Sequence, residues 1–367
     1  MEYIFDDVLE IKNGRNQKAV ENPDGQYPIY GSGGVMGYAD DYICDADTVI
    51  IGRKGSINNP IYVSEPFWNV DTAFGLLAKR ELLLPRYLFY FCRKFDFEKL
   101  NKTVTIPSLT KSDLLKIKID LPVIAEQQDI IDKLSKIEVV IDLRKQELSA
   151  LDDLIKARFV ELFGDPLINS MGLGTKPMTE VCEIIDGDRG KNYPTADEFA
   201  DEGYCLFLNA KNVTAAGFNF DNCMFVTKEK DEALRKGKLT RGDVVLTTRG
   251  TLGNLAFYTD EIPYEHVRIN SGMVILRMKH EIVDEVYFIE QFKMQLADIK
   301  GKIASGSAQP QLPISTMNKI QILIPDVEVQ KVFADFVKQV DKSKVVVKKS
   351  IEETQVLFDS LMQKYFG

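Results

Sequence analysis

The chain has 367 residues, of which 45% are hydrophobic and 28% charged, and its formal net charge is −9. That length is too great for one ordinary core and fits two domains of average size. The acid excess excludes a protein that coats nucleic acid indiscriminately, because neutralisation of phosphates by Lys and Arg carries that kind of binding, so any DNA contact requires basic residues that converge in space.

The first stretch, 1–122, mixes β-rich runs at 48–51 and 75–78 with a helical run at 85–95, and its last extended run stops at Pro122, which marks the step out of a sheet. Its Tyr30-Gly31-Ser32-Gly33-Gly34 segment lacks the spacing of a dinucleotide loop, and no P-loop Lys follows, so it reads as a flexible turn. Tyr30 and Ser32 remain candidates for DNA contact. Next comes Arg53-Lys54-Gly55-Ser56-Ile57-Asn58-Asn59, directly after a predicted strand. Gly there lets backbone approach closely, while Arg53, Lys54 and Asn58 are types that grip phosphates or base edges. A tight turn uses the same residues. Asn59-Pro60-Ile61-Tyr62 approaches the loop by which amino-methyltransferases hold a flipped base, but its second proline is missing and no Gly-rich cofactor turn accompanies it. Lys102, Thr105 and Ser108 lie in a small polar loop before the next element and suit phosphate contact.

Between 123 and 165 the chain predicts one long helix. From Ile124 to Phe163 there is no Pro or Gly, and Leu134, Ile141, Leu148, Ile155 and Leu162 recur every seven residues. Ile130, Ile137 and Leu151 form the second row of a helix-pair seam.

The stretch 166–325 has the same character, with β-rich runs at 244–248 and 273–277, a helical run at 286–299, and Pro325 at its end. Candidate DNA-contact residues here are Arg189, Lys191 and Asn192, then Asn209, Lys211 and Asn212, then Arg249, Thr251 and Asn254, and finally Gln309 and Gln311. Ordinary solvated turns would account for the first two groups equally well. The last stretch, 326–367, is a second long helix whose seam runs through Val337, Val340, Val347, Ile351, Phe358 and Leu361, with Lys344 and Thr354 interrupting it.

These parts are two copies of one unit. Pro107-Ser108-Leu109 aligns with Pro310-Gln311-Leu312, and the same offset holds to the C-terminus. It places Lys116-Ile117 on Lys319-Ile320, Pro122 on Pro325, Gln127 on Gln330 and Phe163-Gly164 on Phe366-Gly367. Upstream, Asp47 to Arg53 resembles Asp243 to Arg249, which pairs Arg53 with Arg249. Each copy is therefore a variable globular part followed by a more constant helix, and a direct repeat sets its two helices side by side most symmetrically when they run antiparallel. At a rise of 1.5 Å per residue such helices span about 50–60 Å.

The five cysteines (Cys44, Cys92, Cys182, Cys205, Cys223) are scattered and never spaced as C-x-x-C, which disfavours disulfides and zinc. The only histidines are His266 and His280, and we read both as structural. No metal site is expected. With no export signal and no apolar run long enough to span a membrane, the chain reads as cytoplasmic.

The arrangement resembles the specificity subunits of type I restriction-modification enzymes over essentially the whole chain. The carriers are the Tyr27-Pro28-Ile29-Tyr30-Gly31 run and the Arg-Gly-Asn loops. To these add the Leu121-Pro122…Glu126-Gln127-Gln128 junction with its echo Ile324-Pro325…Val329-Gln330, and Leu162-Phe163-Gly164-Asp165-Pro166 at the end of the first copy. None is specific alone. The resemblance implies an α+β fold: two target-recognition domains, 1–122 and 166–325, joined by antiparallel coiled-coil helices at 123–165 and 326–367. It implies a non-catalytic, sequence-specific reader of a bipartite, asymmetric double-stranded DNA site. Two methyltransferase subunits would dock on it and methylate adenine, and restriction subunits would join the assembly. S-adenosylmethionine would belong to the partners, with no cofactor in this chain. A scaffold that only assembles proteins, or a stand-alone DNA methyltransferase, are the competing readings.

Overall fold

The structure, a computed structural model, describes residues 1–102, 106–304 and 311–367, the side chains of 303 and 304 excepted. The two uninterrupted heptad stretches form 40-residue helices, a central one at Ile124–Phe163 and a terminal one at Val327–Phe366. The central one stops at a glycine. Gly164 takes φ +76, a left-handed turn that favours a residue without Cβ.

Two compact units emerge, one of Met1–Glu147 with Val347–Gly367 and one of Leu148–Val346, so the division passes through both long helices. In the first unit Ile130, Leu134 and Ile141 from the start of the central helix share a core with Phe358 and Met362 from the end of the terminal helix. In the second, Ile155, Phe159 and Phe163 meet Phe333, Val337 and Val340. Start meets end in both, so the helices pair antiparallel. Of the seam positions, Leu134, Ile141, Ile155, Val337, Val340, Val347 and Phe358 are buried, and Ile137, Leu148, Leu151, Ile351 and Leu361 are half-buried. Lys344 occupies a seam position as well. Its side chain is only 15% exposed, and Nζ lies 2.6 Å from Asp152 on the central helix.

Among the described residues the first unit has the strands β1 (Glu2–Ile4), β2 (Leu9–Asn13), β3 (Tyr27–Gly31), β4 (Gly34–Ala39), β5 (Thr48–Gly52), β6 (Ile61–Val63), β7 (Trp68–Asn69), β8 (Ala73–Ala78) and β9 (Lys118–Asp120). The second contains β10 (Thr175–Pro177), β11 (Cys182–Asp186), β12 (Cys205–Leu208), β13 (Val213–Thr214), β14 (Gly217–Phe218), β15 (Phe225–Val226), β16 (Val244–Thr247), β17 (Leu255–Phe257), β18 (Val267–Ile269), β19 (Met273–Met278) and β20 (Gln321–Leu323). Three sheets of each unit correspond. The order β2-β8-β5-β6 repeats as β11-β19-β16-β17, β4-β3-β7 as β15-β12-β18, and β1-β9 as β10-β20. Both three-stranded sheets contain the same parallel pair, β3 with β7 and β12 with β18. The helices Pro85–Lys94 and Glu285–Ala304 then contribute Tyr87, Leu88 and Tyr90, or Tyr287, Phe288 and Phe292, to the cores shared with the long helices.

What differs is the link after the first strand of the three-stranded sheet. Between β3 and β4 there are only Ser32 and Gly33, whereas residues 209–224 intervene between β12 and β15 and build the extra hairpin β13-β14.

The repeated glutamine has a definite task. Gln127 is fully buried; its Oε1 accepts from the Leu84 N–H at 2.9 Å, and its Nε2 donates to the carbonyls of Leu82 (2.8 Å) and Pro122 (3.0 Å). Gln330 does the same with Asp284 N–H (3.0 Å), Ile282 (3.2 Å) and Pro325 (2.9 Å). A buried amide that satisfies three backbone groups ties each long helix to its own globular part.

Candidate nucleic-acid interface

The strand ladders decide which residues of the two units are equivalent. In the first unit Phe74 stands opposite both Asn13 and Ile51; in the second Val274 stands opposite both Asp186 and Leu246. Counting along β5 and β16 from that register pairs Gly52 with Thr247, Arg53 with Thr248, and Lys54 with Arg249. The hydrogen bonds after the strands agree. Arg53 and Lys54 donate their N–H groups to Thr72 O, as Thr248 and Arg249 donate to Gly272 O. Lys54 forms an isolated bridge with Ser108, and Arg249 forms one with Gln311.

The alignment of Arg53 with Arg249 is therefore one residue out. A one-residue slip turns every side chain to the other face of a strand. Arg53 corresponds to the buried Thr248, whose hydroxyl donates to Gly272 O at 3.0 Å, and the Arg53 guanidinium lies 5.8 Å from the centre of the Phe74 ring. The cation that matches Arg249 is Lys54.

Both units bring the loop after this strand against the loop that precedes the long helix. Gly55, at φ +82, donates to Pro107 O at 3.0 Å, and Leu109 donates to Arg53 O at 2.9 Å. In the second unit Leu312 donates to Thr248 O at 3.1 Å. There Arg189, Arg249 and Gln311 line a cavity of about 270 Å³ together with Asp186 and Thr248. Arg189 is held by the Asp186 carboxylate (3.1 Å) and Ser271 O (3.2 Å). The 209–224 excursion abuts the same rim, with Thr251 Oγ1 donating to Ala210 O at 3.4 Å. Beyond it lies a second cavity of about 860 Å³ bounded by Asn209, Lys211, Phe220 and Tyr264.

Several candidates are also tied into the fold. Asn212 is completely buried, and its amide donates to Asn219 O and Asn222 O and accepts from Asn209 N–H, so it has no face for DNA. Asn58 donates to Asp96 and accepts from Phe97 N–H. Asn192 donates to Ala233 O, Asn254 to Val213 O, and Asn209 caps the turn at Ala210–Asn212. Tyr30 is half-buried with its ring edge-on to Phe67, and burial pushes its hydroxyl pKa up. These are polar side chains that replace missing backbone partners in irregular loops. Lys102 is exposed but paired with Asp113 at 2.7 Å. Ser32, half-buried, lies beside Gly52 at the β3-β4 turn. Arg53, Lys54, Arg189, Lys191, Lys211, Arg249, Thr251 and Gln311 are exposed and Ser108 is half-buried; Thr105 and Gln309 lie outside the described residues.

Four residues contribute here that no sequence motif marks. Asp186 carries no motif and acquires its place only by ending β11. Gly14 and Gly187 occupy the same position in the two units, and a side chain at either would run into the carbonyl of Val70 or Asn270. Lys300, from the helix Glu285–Ala304, lies over Gly253 in the Arg249 loop. The five cysteines are unpaired and four are buried. Among the described residues no helix is long and apolar enough to cross a membrane.

The family of the type I restriction modification DNA specificity domain matches residues 2–152 and again residues 172–354, once for each copy of the repeat. The chain belongs to that family. Its role is DNA recognition as a type I specificity subunit. The MjaVIII specificity subunit of a type I restriction enzyme from Methanocaldococcus jannaschii is 24% identical over 85% of this chain and 73% of its own length. The MjaIX specificity subunit of the same organism is 21% identical over 86% and 74%. The S subunit of a type I restriction-modification system from M. genitalium shares the fold with a TM-score of 0.61 at 19% identity, covering 100% of this chain and 96% of that one. A chain from a type I R-M system, studied for its assembly and conformational transition, has a TM-score of 0.59 at 17% identity, with 100% and 97% covered.

Proposed function

We propose that each globular part reads one half of a bipartite, asymmetric DNA site, and that the long helices carry two methyltransferase subunits that methylate adenine at that site in the cytoplasm. The carrying observation is the matched pair Lys54–Ser108 and Arg249–Gln311, one exposed cation per copy, bridged to the loop that leads into a long helix. Two copies of one frame with divergent loops suit a site made of two unlike halves. Phosphate contacts from the cations would set position, and side chains of the variable loops would set sequence.

The long helices support the docking part of this reading. Outside the seam they expose Val139, Leu143 and Leu154 on the central helix and Val345, Val346 and Val356 on the terminal helix, each roughly half or more accessible. Apolar residues off the seam are what a further helical partner would cover. Cleavage would come from restriction subunits, methyl transfer from the methyltransferase subunits with their S-adenosylmethionine, and this chain would contribute no catalytic group or cofactor.

Methylome sequencing of cells with and without this chain, beside its methyltransferase, tests the reading. Loss of one bipartite methylated motif is expected. An unchanged methylome, or tight binding of S-adenosylmethionine to the isolated chain in calorimetry, would overturn it.

A further inference from the structure

Two arginines share the cavity beneath the Arg249–Gln311 bridge, yet their electrostatic settings differ. Arg189 is neutralised by Asp186 at 3.1 Å and fixed by Ser271 O at 3.2 Å. Its loop is fixed again from behind. The neighbouring Asp188, 4% exposed, accepts from the N–H groups of Gly190 and Arg235, both at 2.7 Å. For Arg249, by contrast, no carboxylate among the described residues lies within ion-pair distance, and its backbone is held by Gly272 O and the bridge to Gln311.

From this geometry we infer that the two arginines divide the work of recognition in the second half-site: Arg249 grips a backbone phosphate, and Arg189 reads the O6 and N7 edge of a guanine. The inference rests on the DNA-reading role proposed above. A guanidinium whose charge is already balanced gains little from a phosphate, because release of counterions depends on net charge. Both bonds that hold it are made by Nη2, so the Nη1 and Nε donors, fixed in one orientation, remain for the acceptor edge of a guanine. Asp186 also penalises a phosphate at that spot and leaves a neutral base edge unpenalised. Gln311, on the same rim, adds an amide whose donor and acceptor fit a neighbouring base. In the first unit Asn13 stands where Asp186 stands, so the carboxylate that balances Arg189 has no counterpart at that position, and the two half-sites are read by different chemistry.

The test uses the full chain co-purified with its methyltransferase partner and a randomised duplex library, followed by salt titrations on the selected duplex and on its single-base-pair variants. Wild type selects a motif with a guanine in the second half-site. Arg189→Ala and Arg189→Lys lose about ten- to a hundredfold of discrimination at that base pair, while the dependence of log affinity on log salt stays as in wild type for the lysine variant. Arg249→Ala weakens binding to all duplexes alike and lowers the salt slope by about one. Asp186→Asn moves the two readouts in opposite directions: the salt slope steepens as Arg189 gains net charge, and discrimination falls. Uniform weakening with a reduced slope in Arg189→Ala would make it a phosphate contact and overturn the division. So would variants indistinguishable from wild type on a motif that wild type selects. A wild-type complex that selects no motif would instead overturn the DNA-reading role itself.

Discussion

Replacing Gln127 or Gln330 by Leu probes the tie between each globular part and its long helix. Leucine fills most of the same volume, so the perturbation is loss of hydrogen bonds in a site with no water access. Each variant leaves one backbone N–H (Leu84 or Asp284) and two carbonyls (Leu82 and Pro122, or Ile282 and Pro325) without the amide that now satisfies them. A buried group left unpaired costs about 1–3 kcal/mol, and a carbonyl that loses one of two lone-pair partners costs less, so each variant should lose about 2–4 kcal/mol. The chain divides into two units, and a single unfolding midpoint would mix them. Hydrogen exchange read by mass spectrometry on peptides around residues 82–88 and 282–288 keeps them apart. Gln127→Leu should accelerate exchange only in the first peptide and Gln330→Leu only in the second, by similar factors because the geometry is repeated. Protection in both variants equal to wild type would refute the argument, and acceleration of both peptides by either variant would refute its locality.

Lys54→Ala should weaken DNA binding by the assembled enzyme and reduce the salt slope by about one, whereas Arg53→Ala should leave the slope unchanged, since the strand register makes Lys54 the partner of Arg249; the reverse ranking in salt titrations would restore the sequence alignment. Lys344→Leu should raise the thermal midpoint, by about 1 kcal/mol of added stability, because an apolar side chain replaces a mostly buried cation whose two partners, Asp152 and Asp341, stay 71% and 57% exposed; a lower midpoint would mean that the ion pairs, which despite burial hold the Lys344 pKa above its usual value, outweigh packing. Asp188 accepts from Gly190 N–H, works against its own desolvation, and accepts from Arg235 N–H, which together lower its pKa. A carboxylate with a depressed folded pKa contributes stability that is complete above its unfolded value near ~3.9 and is lost as pH falls through the folded value. Asp188→Asn should therefore be less stable than wild type at neutral pH, with the gap closing below about pH 4 in circular dichroism melts; a gap that persists in acid would assign the loss to packing.

The long helices are legible in the sequence because their signal is local and redundant. Seven-residue spacing from Leu134 to Leu162, with no Gly or Pro, leaves one interpretation, and the central helix stops at Phe163-Gly164. The repeat is legible where hydrogen bonding demands the same residue twice, as at Gln127 and Gln330. It fails at β5 and β16 for an equally physical reason. There the identity of the two arginines pulls the alignment one residue from the register that the ladders set, and nothing in a single strand reveals what stands opposite it. Asn212 misleads because an amide that reads a base and an amide that closes a loop are the same residue type. Only burial and partners separate them.

The placement of divergence bears on how one frame serves two half-sites. The four-stranded and two-stranded sheets match strand for strand, so the bridge between the cation and the loop before the long helix arises from the same hydrogen bonds in both units. The 209–224 excursion replaces a two-residue turn at the edge of that bridge, and it braces the Arg249 loop through Thr251 and Asn254. Added length there changes what stands beside the cation without moving the strand that carries it. In the first unit the same link is only the turn Ser32-Gly33, with Val35 and Met36 exposed at 54% and 63% beyond it. Grafting 209–224 between β3 and β4 should therefore alter the base preference of the first half-site while leaving the second, and the spacing between them, as in wild type. A graft that changed the spacing or the second half-site would mean that the excursion acts on the frame rather than on the bases beside it.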